Sequence, residues 1–390
     1  MISSCRMTRR EALQCVTMAA ALGLVAQAPA GTHPMPVHRR RIRQRIFASS
    51  TDVPLLQLPE GLTSTKEHVF VGTYNYVTPQ NSRIFVFDAE TGDLEDTIGG
   101  KPGQELVSAG ALLGLSVHPV TQDLYANANG AGNILRIRQP ASGEPEISIY
   151  SSFPTGTDQP PGPEDMAWHE NGWLYASDSN NRRLYAIPPG GGSPKLIVGP
   201  DGAGAMFSDR NLFAQSEAGF APNGLVFSLD FRTLYGANTD TDAVIAMEVN
   251  RDGMLTGGIS ILAQNPNNDF TEDPKGFEEL RQPDTKIGAS GATPLNGPDG
   301  LALDSLGRIW VASVFGDNLT VLDPQSGEIL ETVGSSAVAQ GGLLRQPASL
   351  TFVRDKILAT NLGLFHDSSE PWSVAEFTVG VEGAGNNGNY

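Results

Sequence analysis

From about residue 55 to residue 380 the chain is built of short apolar runs, broken every few positions by Gly, Pro, Asn or Asp. Such runs, alternating with polar residues and bounded by turn formers, predict β-strands joined by tight turns. No segment of this region shows a helix period of comparable strength. The runs also repeat as a set, at intervals of roughly 35–75 residues. Each set opens with a turn and an apolar run: Leu58-Pro59-Glu60-Gly61-Leu62, then Leu112-Leu113-Gly114-Leu115, then Pro163-Glu164-Asp165-Met166. Pro222-Asn223-Gly224-Leu225, Pro298-Asp299-Gly300-Leu301 and Pro347-Ala348-Ser349-Leu350 open the other three. A second apolar run follows every opener, as in Trp173-Leu174-Tyr175-Ala176 and Ile309-Trp310-Val311-Ala312, and a third and a weaker fourth follow most.

Four strands per set and six sets predict an all-β, six-bladed β-propeller. One blade is apolar on both faces and cannot bury itself alone, so blades must stack in a ring. The sixth set shows only three clear strands, near 349–353, 356–361 and 373–379. Residues 42–57 could supply its fourth strand and so close the ring. The propeller is expected over 55–380, preceded by a linker and possible closing strand over 31–54. A Gly- and Asn-rich tail over 381–390 is expected to be disordered.

Residues 1–30 read as a signal peptide. Arg9-Arg10 precedes an apolar stretch from Val16 to about Ala26, with Ala26-Gln27-Ala28 and Pro29-Ala30 offering small residues for cleavage. The paired Arg resembles a twin-arginine signal. The expectation is therefore an exported protein, periplasmic or extracellular. The apolar run is too short for a mature membrane span, and no other candidate span exists. Both cysteines, Cys5 and Cys15, fall in this segment, so the propeller has no thiol for a disulfide, a metal or a nucleophile.

Charge narrows the set of partners. The net charge is −17, but residues 1–45 carry eight Arg against Glu11 alone, leaving 18 Lys and Arg against 42 Asp and Glu in the remainder. Such a surface repels phosphate backbones and anionic membranes, so nucleic acid is not an expected partner. A cation or a small-molecule substrate suits it better.

In a propeller the first strand of each blade lines the central channel, and its first residue stands at one mouth. Around the six blades that position reads Glu60, Leu113, Glu164, Asn223, Asp299 and Ala348. Carboxylates converging on one mouth repel one another, and a hard cation relieves the repulsion. Glu60, Glu164, Asn223 and Asp299 are thus the candidate metal ligands, with Ca²⁺ expected and Mg²⁺ or Zn²⁺ as alternatives. The absence of His and Cys from these positions argues against a zinc site of the usual kind.

Pro222-Asn223-Gly224-Leu225 with Ser228-Leu229-Asp230 and Thr233-Leu234-Tyr235 resembles a blade motif of the senescence marker protein, gluconolactonase and regucalcin family. Gly297-Pro298-Asp299-Gly300-Leu301 with Gly307-Arg308-Ile309-Trp310-Val311-Ala312 resembles the next, and Pro59-Glu60-Gly61 the first. The resemblance implies a channel metal held by Glu60, Asn223 and Asp299. It also implies hydrolysis of lactones or small esters, with the metal polarising the carbonyl and Asp299 as general base. Glu164, where the family usually has Asn, is a departure and the alternative base. Related paraoxonase-type propellers place a catalytic His where this chain has Leu113, so that mechanism does not carry over. Asn127, Asp178, Asn238 and Asp240, at second-strand ends on the same face, are candidate substrate contacts. The inserts 199–221 and 264–295 are expected on that face as well, and His366, in the sixth-blade loop, could reach it but is expected to be solvent-exposed. The competing reading is a non-catalytic exported propeller that binds a ligand or protein around a structural metal.

Overall fold

In the computed structural model the described residues are 42–74, 82–99, 101, 106, 110–157, 159–200, 206–207, 212–215, 221–265, 294–335, 342–364 and 370–385. The signal segment, most of both inserts and His366 lie outside them. The described strands form six four-stranded sheets, each antiparallel throughout. This is a six-bladed β-propeller. In five blades the strands run in chain order from the channel outward. In blade six the outermost strand is Arg43–Ser49, which pairs with Ser373–Thr378. The Arg45 guanidinium clasps Glu376 there through two hydrogen bonds of 2.9 and 2.8 Å, and Lys356 Nζ adds an ion pair at 3.4 Å.

The core is divided among the seams between blades. Tyr125 and Ile134 of blade two pack on Trp168, Leu174 and Tyr185 of blade three. Tyr175 and Leu184 of blade three pack on Phe227, Ile245 and Met247 of blade four. The other four seams are filled in the same way. The first two strands of each blade thus have two largely buried faces, which explains why their runs are nearly continuously apolar, while outermost strands such as Leu94–Ile98 and Ile329–Val333 are largely exposed.

The inner strands share a distortion that places the site. Those of blades one, two, three, five and six each lose register between the first paired residue and the fourth: Pro59 and Leu62, Leu112 and Leu115, Pro163 and Met166, Pro298 and Leu301, Pro347 and Leu350. The two residues between are released from the ladder, and a bulge of this kind re-aims side chains. Those residues are Glu60-Gly61, Leu113-Gly114, Glu164-Asp165, Asp299-Gly300 and Ala348-Ser349. In blade four the inner strand begins later, at Leu225–Phe227, and Asn223 precedes it with its N–H donated to Ala237 O at 2.9 Å.

The second residue of each pair faces the next blade at very short range. A Cβ on Gly224 would lie 2.3 Å from Asp299 O, and one on Gly300 would lie 2.5 Å from Ala348 O. Gly61 and Gly114 stand in the same relation to blades two and three. Glycine is required here for space. Gly224→Ala should therefore destabilise the protein by roughly 1–3 kcal/mol through overpacking. Gly385→Ala, where an added Cβ meets nothing within 4 Å, should be neutral within about 0.5 kcal/mol. Thermal unfolding of the two variants beside the parent checks this.

The described part of the 381–390 tail, residues 381–385, packs against blades five and six. Gly383 bridges Asp304, and the Ala384 N–H donates to Leu303 O at 2.9 Å. Gly383 lies against Phe352, where a Cβ would come within 2.3 Å of the Phe352 Cβ, so its glycine allows a contact that composition alone reads as disorder. Among the described residues no helix is long and apolar enough to cross a membrane.

Candidate functional site

The opening residues of blades one, three, four and five meet at one mouth of the channel. Glu60, Asn223 and Asp299 are each more than nine-tenths buried. Glu60 hangs from an anchored backbone, since its carbonyl accepts the Thr360 hydroxyl at 2.9 Å. Its Oε2 is buried with no hydrogen-bond partner. Glu164 Oε2 accepts the Ser179 hydroxyl at 2.9 Å, from the turn between the second and third strands of its own blade. Asn223 Nδ2 donates to Thr239 Oγ1 at 3.2 Å, and that hydroxyl donates in turn to Pro298 O at 2.7 Å, linking blade four to the opener of blade five. Leu113 and Ala348 complete the ring with buried apolar side chains.

The electrostatics show that these groups share one field. Burial raises the Glu60 carboxyl well above its usual range, and Glu164, Asp299 and Asp165 push it further. Burial also raises Asp299 strongly, followed by Glu164 and Asp165, with the Asn223 amide pulling the other way. Glu164 is pushed up to about 8, by burial first and then by Asp165 and Asp178, against the Ser179 hydrogen bond. Every charge acting on the three is negative. Crowded, buried carboxyls with no compensating cation favour their protonated forms or a bound metal ion.

Asp165 belongs to this field and was not among the candidates. It occupies the place that is glycine in blades one, two, four and five. Its side chain crosses to blade four, where Oδ2 accepts the Leu225 N–H at 2.8 Å. Burial pushes its carboxyl up to about 7, against that bond and one from the Met166 N–H. Its own N–H donates to Ser177 Oγ at 2.9 Å, and Ser177 donates on to Asn223 O at 3.0 Å. The same relay recurs in blade six, from Ser349 N–H through Thr360 to Glu60 O. So wherever the post-opener residue carries a side chain, a second-strand hydroxyl ties its N–H to the carbonyl of a candidate ligand. One signal was available in the sequence: the post-opener positions read Gly61, Gly114, Asp165, Gly224, Gly300 and Ser349, and the one acid stands out.

The second-strand candidates are placed differently from one another. Asp178 is fully buried and accepts the Gly162 N–H at 2.9 Å and the Asn181 amide at 3.1 Å, so its carboxylate braces the segment leading into Glu164. Asn238 is fully buried between Leu212 O at 3.2 Å and the Thr241 N–H at 3.1 Å. Asn127 is fully buried, and neither atom of its amide has a partner. It holds the blade-two position that Ser177 and Thr360 hold in blades three and six. Asp240 lies in the turn beside Thr239. His118 caps the hairpin of blade two, with Nδ1 accepting the Val120 and Thr121 N–H groups, and packs edge-on against Trp168 at 4.5 Å.

Residues 211–340 match the family model described as SMP-30/Gluconolactonase/LRE-like region, a span that includes Asn223 and Asp299. The match spans about a third of the chain and marks a resemblance to that family over blades four and five. A second model, strictosidine synthase-like, N-terminal, matches residues 155–180 around Glu164. No curated protein matches by sequence. Among solved structures the chain is similar to a luciferin-regenerating enzyme at 15% identity, over 89% of this chain and 99% of that one, with a TM-score of 0.57. It is similar to regucalcin, a calcium-binding protein of Agrobacterium tumefaciens, at 15% identity over 87% and 95% of the two chains, with a TM-score of 0.57. A gluconolactonase from Xanthomonas campestris aligns at 18% identity over 82% and 85%, with a TM-score of 0.53. At these identities the likeness is one of fold.

The donors at the mouth are of the kind that suits a hard divalent cation. They are carboxylate and amide oxygens, and Glu60 Oε2 is an oxygen buried without a partner. Among the described residues, no three carboxylate, imidazole or thiol groups are gathered closely enough to hold one ion between them. Glu60, Glu164 and Asp299 would therefore have to draw together to share an ion.

Proposed function

We propose that this chain is a divalent-metal-dependent hydrolase of lactones or small esters, exported by its N-terminal segment. The observation that carries the reading is the group of buried Glu60 and Asp299 with half-buried Glu164, in which each carboxyl feels only negative neighbours and one oxygen has no partner. Glu60, Glu164, Asn223 and Asp299 would hold the ion, with Ca²⁺ favoured by an all-oxygen donor set and Mg²⁺ or Zn²⁺ as alternatives. When bound, the ion supplies Lewis-acid polarisation of the substrate carbonyl. Asp299 takes the proton from the attacking water, and its hold on the Asn223 side chain fixes its direction. Glu164 is the second acid of the site, set by Ser179 and by the Asp178 carboxylate beneath it. Leu113 and Ala348 give the apolar half of the mouth, against which the carbon skeleton of a small substrate can rest. Asp240, beside Thr239, is the second-strand candidate for contact with that substrate.

The family model supports this reading over the region of Asn223 and Asp299. The test is a panel of lactones and small esters, assayed with purified protein in Ca²⁺ and again after chelation. The expected result is hydrolysis of at least one lactone that chelator abolishes and Ca²⁺ restores. Hydrolysis of none, with any of the three metals, replaces the reading with that of a non-catalytic ligand-binding propeller.

A further inference from the structure

A second hollow opens on the face of the ring opposite the mouth. It is a groove of about 650 Å³ over the seam between blades one and two. Its walls are the turn between the first two strands of blade one, the matching turn of blade two, and the turn between the third and fourth strands of blade two. In an antiparallel blade these turns lie at the end away from the opening residues, so the inner strands separate the groove from the mouth. Small-molecule sites run to about 300–1,000 Å³, so the groove has the size of one. Phe70 and Pro140 give it a buried apolar floor. Its polar lining is mostly uncharged. Thr65 Oγ1 accepts the Glu67 and His68 N–H groups at 3.2 and 3.0 Å, and Thr121 Oγ1 accepts the Asp123 N–H at 3.4 Å. Each hydroxyl serves its turn as an acceptor and keeps its proton for an outside acceptor. Gln139 is exposed on the same wall, with a left-handed backbone at φ 50° that glycine adopts at less cost. Its amide both gives and takes hydrogen bonds.

The charged groups of the groove are matched. Asp123 is held by Arg136 through hydrogen bonds of 2.9 and 2.5 Å, and His68 Nε2 faces Glu95 Oε2 at 3.2 Å. Lys66 and Glu67 are sequence neighbours of opposite sign, both exposed. An ionic ligand entering here would lose hydration and meet no unmatched countercharge. A neutral one escapes that cost, and the acidic body, with 18 Lys and Arg against 42 Asp and Glu, does not repel it. We propose that this groove binds a short neutral oligosaccharide. Sugar hydroxyls give and take hydrogen bonds at once, as Thr65, Thr121 and Gln139 require, and the apolar C–H face of a ring rests over Phe70 and Pro140. The site does not depend on how the mouth is read.

Saturation-transfer NMR of the full chain with maltotriose, cellotriose and mannotriose, followed by calorimetric titration of the best binder, tests this directly. At least one of the three should bind. Gln139→Gly suits the left-handed backbone and Thr121→Val keeps the shape of the side chain, so each should retain the parental Tm. Each alone should weaken binding severalfold, and the two together about tenfold. Asp299→Asn, at the opposite mouth, should leave trisaccharide binding unchanged. Binding of none of the three overturns the proposal, as does binding that either groove variant leaves intact or that Asp299→Asn abolishes. Preference for the acidic trigalacturonate over every neutral trisaccharide overturns the ligand class. A protein that hydrolyses no lactone yet binds a trisaccharide in the groove would refute the enzymatic reading and leave this one standing.

Discussion

Asp299→Asn is expected to lower kcat/KM on the best lactone of the panel by about 10²–10⁴-fold, the range lost when a positioned general base is removed. The change keeps the shape of the side chain, so the seam where Gly224 meets Asp299 O is undisturbed. It removes one negative charge from the mouth and the only proton acceptor that the Asn223 side chain supports. Metal affinity should fall too, and the two effects separate in the kinetics. A loss confined to metal binding is repaired by saturating Ca²⁺, whereas loss of the base persists as a lower kcat. Glu164→Gln is the control. If Asp299 is the base, Glu164→Gln at saturating Ca²⁺ should keep kcat within about tenfold of the parent. The reverse pattern, a small effect at Asp299 and a collapse at Glu164, would assign the base to the acid that departs from the family.

Stability of the chelated protein should fall as pH rises, which is opposite to the behaviour of proteins held by surface ion pairs. Burial raises Asp165 from 3.8 to about 7, and burial with like charge raises Glu164 from 4.5 to about 8 and raises Glu60 and Asp299 as well. Between the unfolded and folded values the folded state holds more protons than the unfolded one. Stability is therefore fully present below the unfolded values and is lost as pH passes upward through about 7 and 8. Each tenfold gain in a carboxyl's proton affinity on folding corresponds to about 1.4 kcal/mol. A fall of several degrees in Tm between weakly acid and weakly alkaline buffer is then expected in chelator. Ca²⁺ should flatten or invert the slope, because it takes the place of the protons and binds best where they have left. Differential scanning calorimetry across this range, with and without Ca²⁺, decides the matter. A flat profile in chelator would mean that the carboxyls are not crowded in the folded protein.

The blades were legible because a propeller writes the same physical demand six times. The Pro-x-Gly openers announce strands that begin at a bulge, and the apolar runs after them announce burial on both faces. The mouth residues were legible for the same reason, since they occupy one register position. Asp165 was not, because the comparison stopped at the opener. Nothing in a single sequence shows that a Cβ added at Gly224 or Gly300 would fall 2.3–2.5 Å from the next blade's backbone, or that the acid at this position reaches across to the Leu225 N–H. The roles of Asp178 and Asn238 were hidden for a different reason. Strand ends look alike in sequence whether their side chains face a cavity or a loop. The Gly162 N–H and Leu212 O that engage these two come from segments 16 and 26 residues away along the chain. The order in 381–385 depends on one glycine fitting over Phe352, a matter of shape that composition does not report.

The clasp in blade six bears on how the protein is made. Arg45 and Glu376 are separated by 331 residues, so the strand at 43–49 leaves the ribosome long before its partner exists. At roughly 5–20 residues per second that interval is tens of seconds. Five blades can assemble in sequence during it, but the circle cannot be locked until Ser373–Thr378 has been made. A nascent chain stalled short of residue 373 would be an open arc with one orphaned strand, exposed to chaperones and to proteases. Substitutions at Arg45 or Glu376 would then reduce the yield of intact protein more than the activity of each molecule that succeeds in closing.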